Sequence, residues 1–316
     1  MKKLQSIFIM FILIIFGYLI LKNAYGVLNS VRYSLLIFKE NVFPSLFPFL
    51  ILSNFLINYG FVEFMGNFFR GIMYKLFKIS GECSFIFFMS IISGNPISAK
   101  YTRELYLTSK INKHEAIKIL CISSFSSPLF VIGTISSFLN KKIAIFILLS
   151  HYLSNFILGI LLRFYHPSDY SKSNLRKAIN EMHRKRISSD NFGLVFTNSI
   201  TDSINTLLLI LGVITVCLIF TAIINNYIFN PTLKCLIDGL TELTQGLKYV
   251  SLENFSFRIK SSLSALFISF GGLSIHIQIM SILSDTDIKY LPFLFSRIFC
   301  AVCSFTIVNL FYSYFV

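Results

Sequence analysis

Residues 91–100 read IISGNPISAK. They follow the apolar SFIFFMS (84–90) and lead into YTRELYLTSK (101–110). A Gly-Asn-Pro break inside an apolar segment, with a lysine four residues beyond the proline, conflicts with a plain buried helix. Breaking a helix in lipid frees N–H and C=O groups that cost several kcal/mol each if left unpaired. Such a break is tolerated only where protein or trapped water satisfies those groups, so this stretch points to a site.

The rest of the chain supplies the lipid. Of 316 residues, 55% are hydrophobic and 13% charged, with mean hydropathy +0.72. Soluble domains carry roughly 25% charged residues. Apolar runs recur at Ile7–Leu21, Phe47–Tyr59, Ile143–Leu162, Leu207–Ile224 and Leu291–Val316, each near the length that spans about 30 Å of hydrocarbon as a helix. The class is therefore an all-α polytopic membrane protein. The N-terminal MKKLQSIFIMFILIIFGYLILKNAYG resembles a signal peptide, but its apolar run ends without a small-x-small cleavage site, so a retained first helix is expected.

The net charge of +14 is a topology signal. Lys and Arg gather at the N-terminus, over 70–78, over 100–118 and over 163–186. A cytosolic N-terminus places all four clusters on one side, as the positive-inside rule requires, so nucleic acid is not invoked. Cys300 and Cys303 form a C-x-x-C in an apolar helix with no second Cys/His pair nearby, which suits small packing residues better than metal or redox chemistry. No metal, cofactor or catalytic set is expected: Ser/His/Asp arrangements and paired carboxylates are missing at workable spacings, so the chain is not read as an enzyme.

Two halves emerge, 1–165 and 192–316, joined by a basic cytosolic linker at 166–191. In the first half FVEFMGNFFRGIMYKLFKIS (61–80) is too polar to cross and suits an interfacial helix. Residues 80–111 form two arms too short to span separately, predicting a re-entrant hairpin with its tip at Ser93-Gly94-Asn95-Pro96. The next segment, from Asn112, crosses with interruptions at Ser126-Ser127-Pro128 and Gly133. In the second half 230–254 is amphipathic and takes the interfacial place, while 255–290, two apolar arms around Gly271-Gly272, takes the hairpin place. The expected fold is an inverted repeat with about six spanning helices, two re-entrant hairpins and two interfacial helices. Paired Gly/Pro-interrupted segments at corresponding positions point to a transporter's binding site.

The segments FPSLFPF, SGNPISAK, SSPLFVIG, GLTELTQG and FGGLSIHIQ, in order between Phe43 and Arg297, resemble the sporulation integral membrane protein YlbJ family. That family lies within the nucleoside-recognition Gate group, akin to concentrative nucleoside transporters. Asn95 and Ser98 stand where it usually has Tyr and Gly, and Ser127 stands for Gly in its Ser-Gly-Pro; these departures touch substrate preference more than fold. The resemblance implies a bacterial membrane protein of endospore formation that moves dipicolinic acid across the outer forespore membrane. It also implies that the N-terminus and the 166–191 loop face the mother-cell cytosol. Alternatives are a nucleoside or cation transporter, or a structural membrane protein of spore assembly. The bilayer is a partner in any case, and an oligomer is compatible with the reading.

Dipicolinate is a flat pyridine with two carboxylates. A site for it needs positive charge, N–H donors and an apolar slot, and half-helix N-termini supply the donors. The candidates are Ser93, Gly94, Asn95, Pro96 and Ser98 at the first break, Gly271, Gly272, Ser274 and Gln278 at the second, and Ser126 and Ser127 at the interrupted crossing. Lys100 either faces substrate or snorkels to the interface. Arg297, in apolar surroundings, suits bidentate carboxylate recognition or a structural pair with Glu242 or Asp202. Glu242 is either an ion-coupling group, a partner for that arginine, or an exposed residue of an amphipathic helix. His276 is a proton-sensitive switch or a hydrogen-bonded packing residue.

Overall fold

The computed structural model describes residues 2–169, 174–188 and 191–314, and the remainder of the expected linker lies outside them. The described chain is all helical. Helix α1 (Lys2–Lys22) leads to α2 (Ala24–Ile37), which continues through a π-helical turn at Phe38–Val42 into α3 (Phe43–Asn58). Pro44 lies in the first turn of α3, where its missing N–H costs little, and Pro48 lies inside the helix. Helix α4 (Phe61–Phe77) has one apolar and one polar face, as expected of an interfacial helix. Then come α5 (Cys83–Ser93) and α6 (Ile97–Leu107), which fold back on each other as the first hairpin. Helices α7 (Lys113–Ile122) and α8 (Pro128–Ser136) are the two pieces of an interrupted helix, and α9 (Lys141–Leu161) follows. Gly133 makes no interruption, since α8 runs through it.

A basic helix, α10 (Leu175–Ser188), leads to α11 (Phe192–Ile224), whose 33 residues form the longest helix described. Beyond it lie α12 (Pro231–Thr241) and α13 (Leu243–Leu252), then α14 (Phe257–Phe270), α15 (Gly272–Ile282) and α16 (Tyr290–Phe311). Five stretches are long and apolar enough to cross a bilayer among the described residues: Ala24–Asn58, Lys141–Phe164, Phe192–Ile224, Phe257–Ile282 and Tyr290–Tyr314. Helix α1 adds a shorter apolar run, Ser6–Lys22.

One expectation moves. The second hairpin is α12–α13, with its tip at Thr241-Glu242, not 255–290. Its arms pack so closely that a Cβ added at Gly246 would lie 2.1 Å from the Gly239 Cα, and the Phe267 ring fills the groove beside them. By contrast α14 and α15 continue one another past Gly271 as an interrupted crossing of 26 residues. The amphipathic pattern of 230–254 has a different cause: its polar side serves the hairpin interior and tip. With this shift the repeat is regular. Each half contributes a hairpin (α5–α6, α12–α13), an interrupted helix (α7–α8, α14–α15) and a closing helix (α9, α16).

Helix α11 runs antiparallel to α2–α3 and fixes the two ends of the molecule. The Asn23 side-chain amide donates to the Ala222 carbonyl (3.1 Å) at one end, and that of Asn54 to the Ser199 carbonyl (3.3 Å) at the other. Between them, Thr215 Oγ1 donates to Ser34 Oγ (2.7 Å), a cross-helix bond of the kind that joins helices where lipid offers no hydrophobic drive. Helix α10 packs on α4 at the Ser199 end, called the linker face below; the Ala222 end is the far face. Buried Glu115 ties this face together, accepting from the Ser80 N–H (2.9 Å), the Asn112 N–H (3.0 Å) and the Ser168 hydroxyl.

Candidate functional site

The hairpin tips meet the helix breaks in pairs. Gly94 has φ +83°, and a Cβ there would lie 2.6 Å from the Ser127 nitrogen, so the first tip presses against the α7–α8 break. Gly272 has φ +71°, and a Cβ there would lie 3.0 Å from the Leu243 nitrogen, so the second tip presses against the α14–α15 break. Both positions combine a left-handed backbone with close backbone approach, which only glycine meets without strain.

Four helix N-termini consequently converge: α6, α8, α13 and α15. They surround a narrow cavity of about 80 Å³ lined by Ser93, Gly94, Asn95, Ser126, Ser127 and Phe130 from the first half. The second half supplies Glu242, Leu243, Thr244, Ser274, Ile275 and Gln278, and Ile210 and Ile214 of α11 form an apolar wall. Helix N-termini carry unpaired N–H groups and partial positive charge. Two of the four are already served: Ser127 Oγ accepts from the Phe130 N–H (3.2 Å), and Glu242 Oε2 from the Gln245 N–H (2.9 Å) and the Thr244 hydroxyl. Helices α6 and α15 have no side-chain cap. Ser93 Oγ, fully buried, lines the same cavity and has no hydrogen-bond partner among the described residues.

Of the residues expected from sequence, Ser93, Gly94, Asn95, Ser126, Ser127, Ser274, Gln278 and Glu242 come together here. Pro96, Ser98, Gly271 and Gly272 shape the breaks without lining the cavity. Asn95 Oδ1 accepts from Ser124 Oγ (2.9 Å) and Ser98 Oγ (3.4 Å), joining the first tip to the first break. Lys100 sits elsewhere, in a larger cavity of about 730 Å³ on the linker side. Asn54, Asn58, Glu104, Asn198, Asp202 and Asn205 also line that vestibule. Among the described residues the Lys100 ammonium has no hydrogen-bond partner; Asp202 and Glu104 act on its charge through space. Along α11 the vestibule covers 195–209 and the narrow cavity 210–214, so one lies directly beyond the other.

Arg297 and His276 are not in either cavity. Arg297, 1% exposed, donates to the carbonyls of Ser124 (3.0 Å) and Cys121 and to Asn155 Oδ1 (2.9 Å). It pairs with neither Glu242 nor Asp202; its work is to satisfy the carbonyls that the α7–α8 break frees. Cys300 packs against the same guanidinium. His276 does likewise for the other break. Its Nε2–H donates to the Phe270 carbonyl (3.1 Å), so Nδ1 accepts from the Tyr290 hydroxyl (2.9 Å). Sequence reasoning missed His151 on α9. Its Nε2 accepts from the Ser126 N–H (3.0 Å), which fixes a neutral ring whose Nδ1–H donates to Ser269 Oγ (2.9 Å). The available signal was a histidine inside an apolar spanning run.

The vestibule rim carries a charged latch between the halves. Arg103 of α6 pairs with Asp285, while Tyr106 (2.6 Å) and Lys113 (2.6 Å) donate to Asp287. Hydrogen bonds from Arg103 to Asp285, and from Lys113 and Tyr106 to Asp287, hold both carboxyls below the ordinary carboxylate range. Beside it, burial pushes the Glu63 carboxyl up, but Lys110 and Lys185 outweigh it and hold the group below its ordinary value.

Residues 40–164, from the π turn through α9, match the Gate family, described as nucleoside recognition. Over 289 residues the chain is 29% identical to the sporulation integral membrane protein YlbJ of Bacillus subtilis (strain 168), covering 82% of this chain and 71% of that protein. No solved structure matches the chain.

Proposed function

With a Gate match across its first half and a sporulation integral membrane protein as a relative along most of its length, we propose that this chain is a transporter of a small carboxylate anion. Dipicolinate is the substrate favoured by that kinship. The observation that carries the reading is the convergence of four helix N-termini, two from each half, on one cavity beside a vestibule that holds an unpaired ammonium. Each terminus stabilises a nearby negative charge by about 0.3–1 kcal/mol, up to about 2 when partly buried. The uncapped ones, α6 and α15, are those left for a ligand's carboxylates.

In this reading the anion enters from the linker face, meets Lys100 in the vestibule, and moves inward toward Ser93, Ser127, Ser274 and Gln278. Ligand pockets measure roughly 300–1,000 Å³. The vestibule falls in that range and the narrow cavity does not, so passage requires the hairpin tips to part from the breaks. The membrane is then the outer forespore membrane, with the linker face toward the mother cell.

The test is uptake of radiolabelled dipicolinate by proteoliposomes. Wild-type protein takes it up, and Lys100→Ala and Ser93→Ala lower uptake several-fold without changing the unfolding temperature in detergent. Correctly folded wild-type protein without uptake defeats the proposal. A nucleoside is the second reading, favoured by the Gate description and by the amides of Asn54, Asn58, Asn198 and Asn205 along the vestibule. Uridine that competes with dipicolinate, or is itself taken up, decides for it.

A further inference from the structure

Asp238 lies on α12 one turn before the second hairpin tip and is fully buried. Its carboxylate has a single side-chain neighbour to bond: the Asn225 amide nitrogen stands 2.9 and 3.0 Å from its two oxygens. Among the described residues no cation is ion-paired with it. Lys234, on the same helix, is a cation close enough to act on it through space, but its ammonium lies over the Tyr249 ring (5.7 Å) and forms no ion pair with it. The other titratable groups facing Asp238 are neutral, Tyr249 from α13 and Cys235 from α12, while α14 brings the Phe267 ring to the adjoining Gly239. An ionised carboxylate held this way lacks the compensation that buried charge requires.

The partner is also half-used. Asn225 Oδ1 is buried and has no hydrogen-bond partner among the described residues. A proton on Asp238 resolves both defects. Once the amide turns from its present bridge between the two oxygens, the acid O–H can donate to Asn225 Oδ1 while the other carboxyl oxygen keeps an amide N–H, a two-bond acid–amide pair. Glu242, one turn further on, differs in its partners: it accepts the Gln245 N–H and the Thr244 hydroxyl and caps α13.

We propose that Asp238 is the proton-binding site of this transporter, loaded from the far face and coupled to the anion's passage; the inference rests on the transport reading above. Asn225 caps the far end of α11, next to exposed Asn226 and Tyr227, so the pair lies just beneath the far face. The Glu242 N–H donates to the Asp238 carbonyl (2.7 Å), so displacement of the tip carries Asp238 away from Asn225. The O–H bond formed with a proton from far-face water then breaks, and the proton leaves to water on the substrate side.

Two measurements test this. Protein labelled with 13C-carboxyl aspartate, followed by infrared spectroscopy through the neutral pH range, shows a protonated aspartic C=O band that titrates in the wild type and is missing from Asp238→Asn. No such band in the wild type overturns the assignment, whatever the variant does. In proteoliposomes, an imposed pH gradient drives dipicolinate accumulation by the wild type, and Asp238→Asn loses it. Wild-type vesicles that exchange dipicolinate but ignore the gradient overturn the proton site alone. Vesicles that neither exchange nor accumulate it overturn the transport reading and this inference together.

Discussion

At the scale of single residues, the polar side chains in the membrane core divide into those that mend backbone and those left open. Arg297 belongs to the first kind. Arg297→Met leaves the Ser124 and Cys121 carbonyls without their guanidinium donor, and a buried orphan acceptor costs about 1–3 kcal/mol. The expected outcome is a clear drop in unfolding temperature in detergent. Arg297→Lys rescues it only in part, because an ammonium lacks the planar fork that reaches three acceptors. His151→Phe removes the acceptor of the Ser126 N–H and lowers stability by about 1–3 kcal/mol on the same argument, measured the same way. Ser93 and Lys100 belong to the second kind, with no bonds to lose, so their substitution registers in uptake and not in unfolding. Composition could mark Arg297 as out of place in lipid, but its acceptors lie 142 to 176 positions away in the chain. No local pattern could tell a substrate arginine from one that caps a distant helix.

Among the elements, the first hairpin was legible because its break is written in the strongest punctuation available, Gly-Asn-Pro. The second was not. Its tip, Thr241-Glu242-Leu243, carries neither glycine nor proline, whereas the Gly271-Gly272 pair thirty positions on advertises a hairpin and instead interrupts a crossing helix. The decisive mark was Gly239 and Gly246, which let two arms touch through their backbones. Gly246→Leu therefore forces the arms of α12 and α13 apart; loss of monodisperse protein in size-exclusion chromatography is expected, with Gly193→Leu, at an open position, as the tolerated control. The linker helix α10 docks partly through Lys185 and Glu63 (3.5 Å). Because Glu63 titrates below its ordinary value in the folded protein, its contribution is fully present above the ordinary carboxylate range. It is lost as pH falls through the lower, folded value. Protease cutting near 170–190 should accelerate only below that point.

Across the whole molecule, the all-helical membrane class and the two-part repeat were readable from hydropathy and basic clusters. The convergence of four breaks was not, since it depends on which elements pair across the halves. The latch belongs to this scale. Arg103, Tyr106 and Lys113 come from the first half and Asp285 and Asp287 from the second. Their exposure limits the energy they contribute, so the latch biases the vestibule mouth without defining the fold. A double-mutant cycle over Arg103→Gln and Asp285→Asn, read as uptake rate, should show coupling that fades at high salt. Both aspartates titrate below their ordinary range, so the latch contribution holds above that range and disappears only as pH falls through the depressed values.

The reciprocal bonding of the two broken helices has a further consequence. His151 of the first half reaches Ser269 of the second, and Arg297 of the second reaches Ser124 and Cys121 of the first. Cut at the linker and synthesised as separate polypeptides, one fragment would hold an unneutralised guanidinium and the other a row of bare carbonyls, both in oil. Neither fragment should accumulate alone, and only simultaneous synthesis should restore a stable heterodimer.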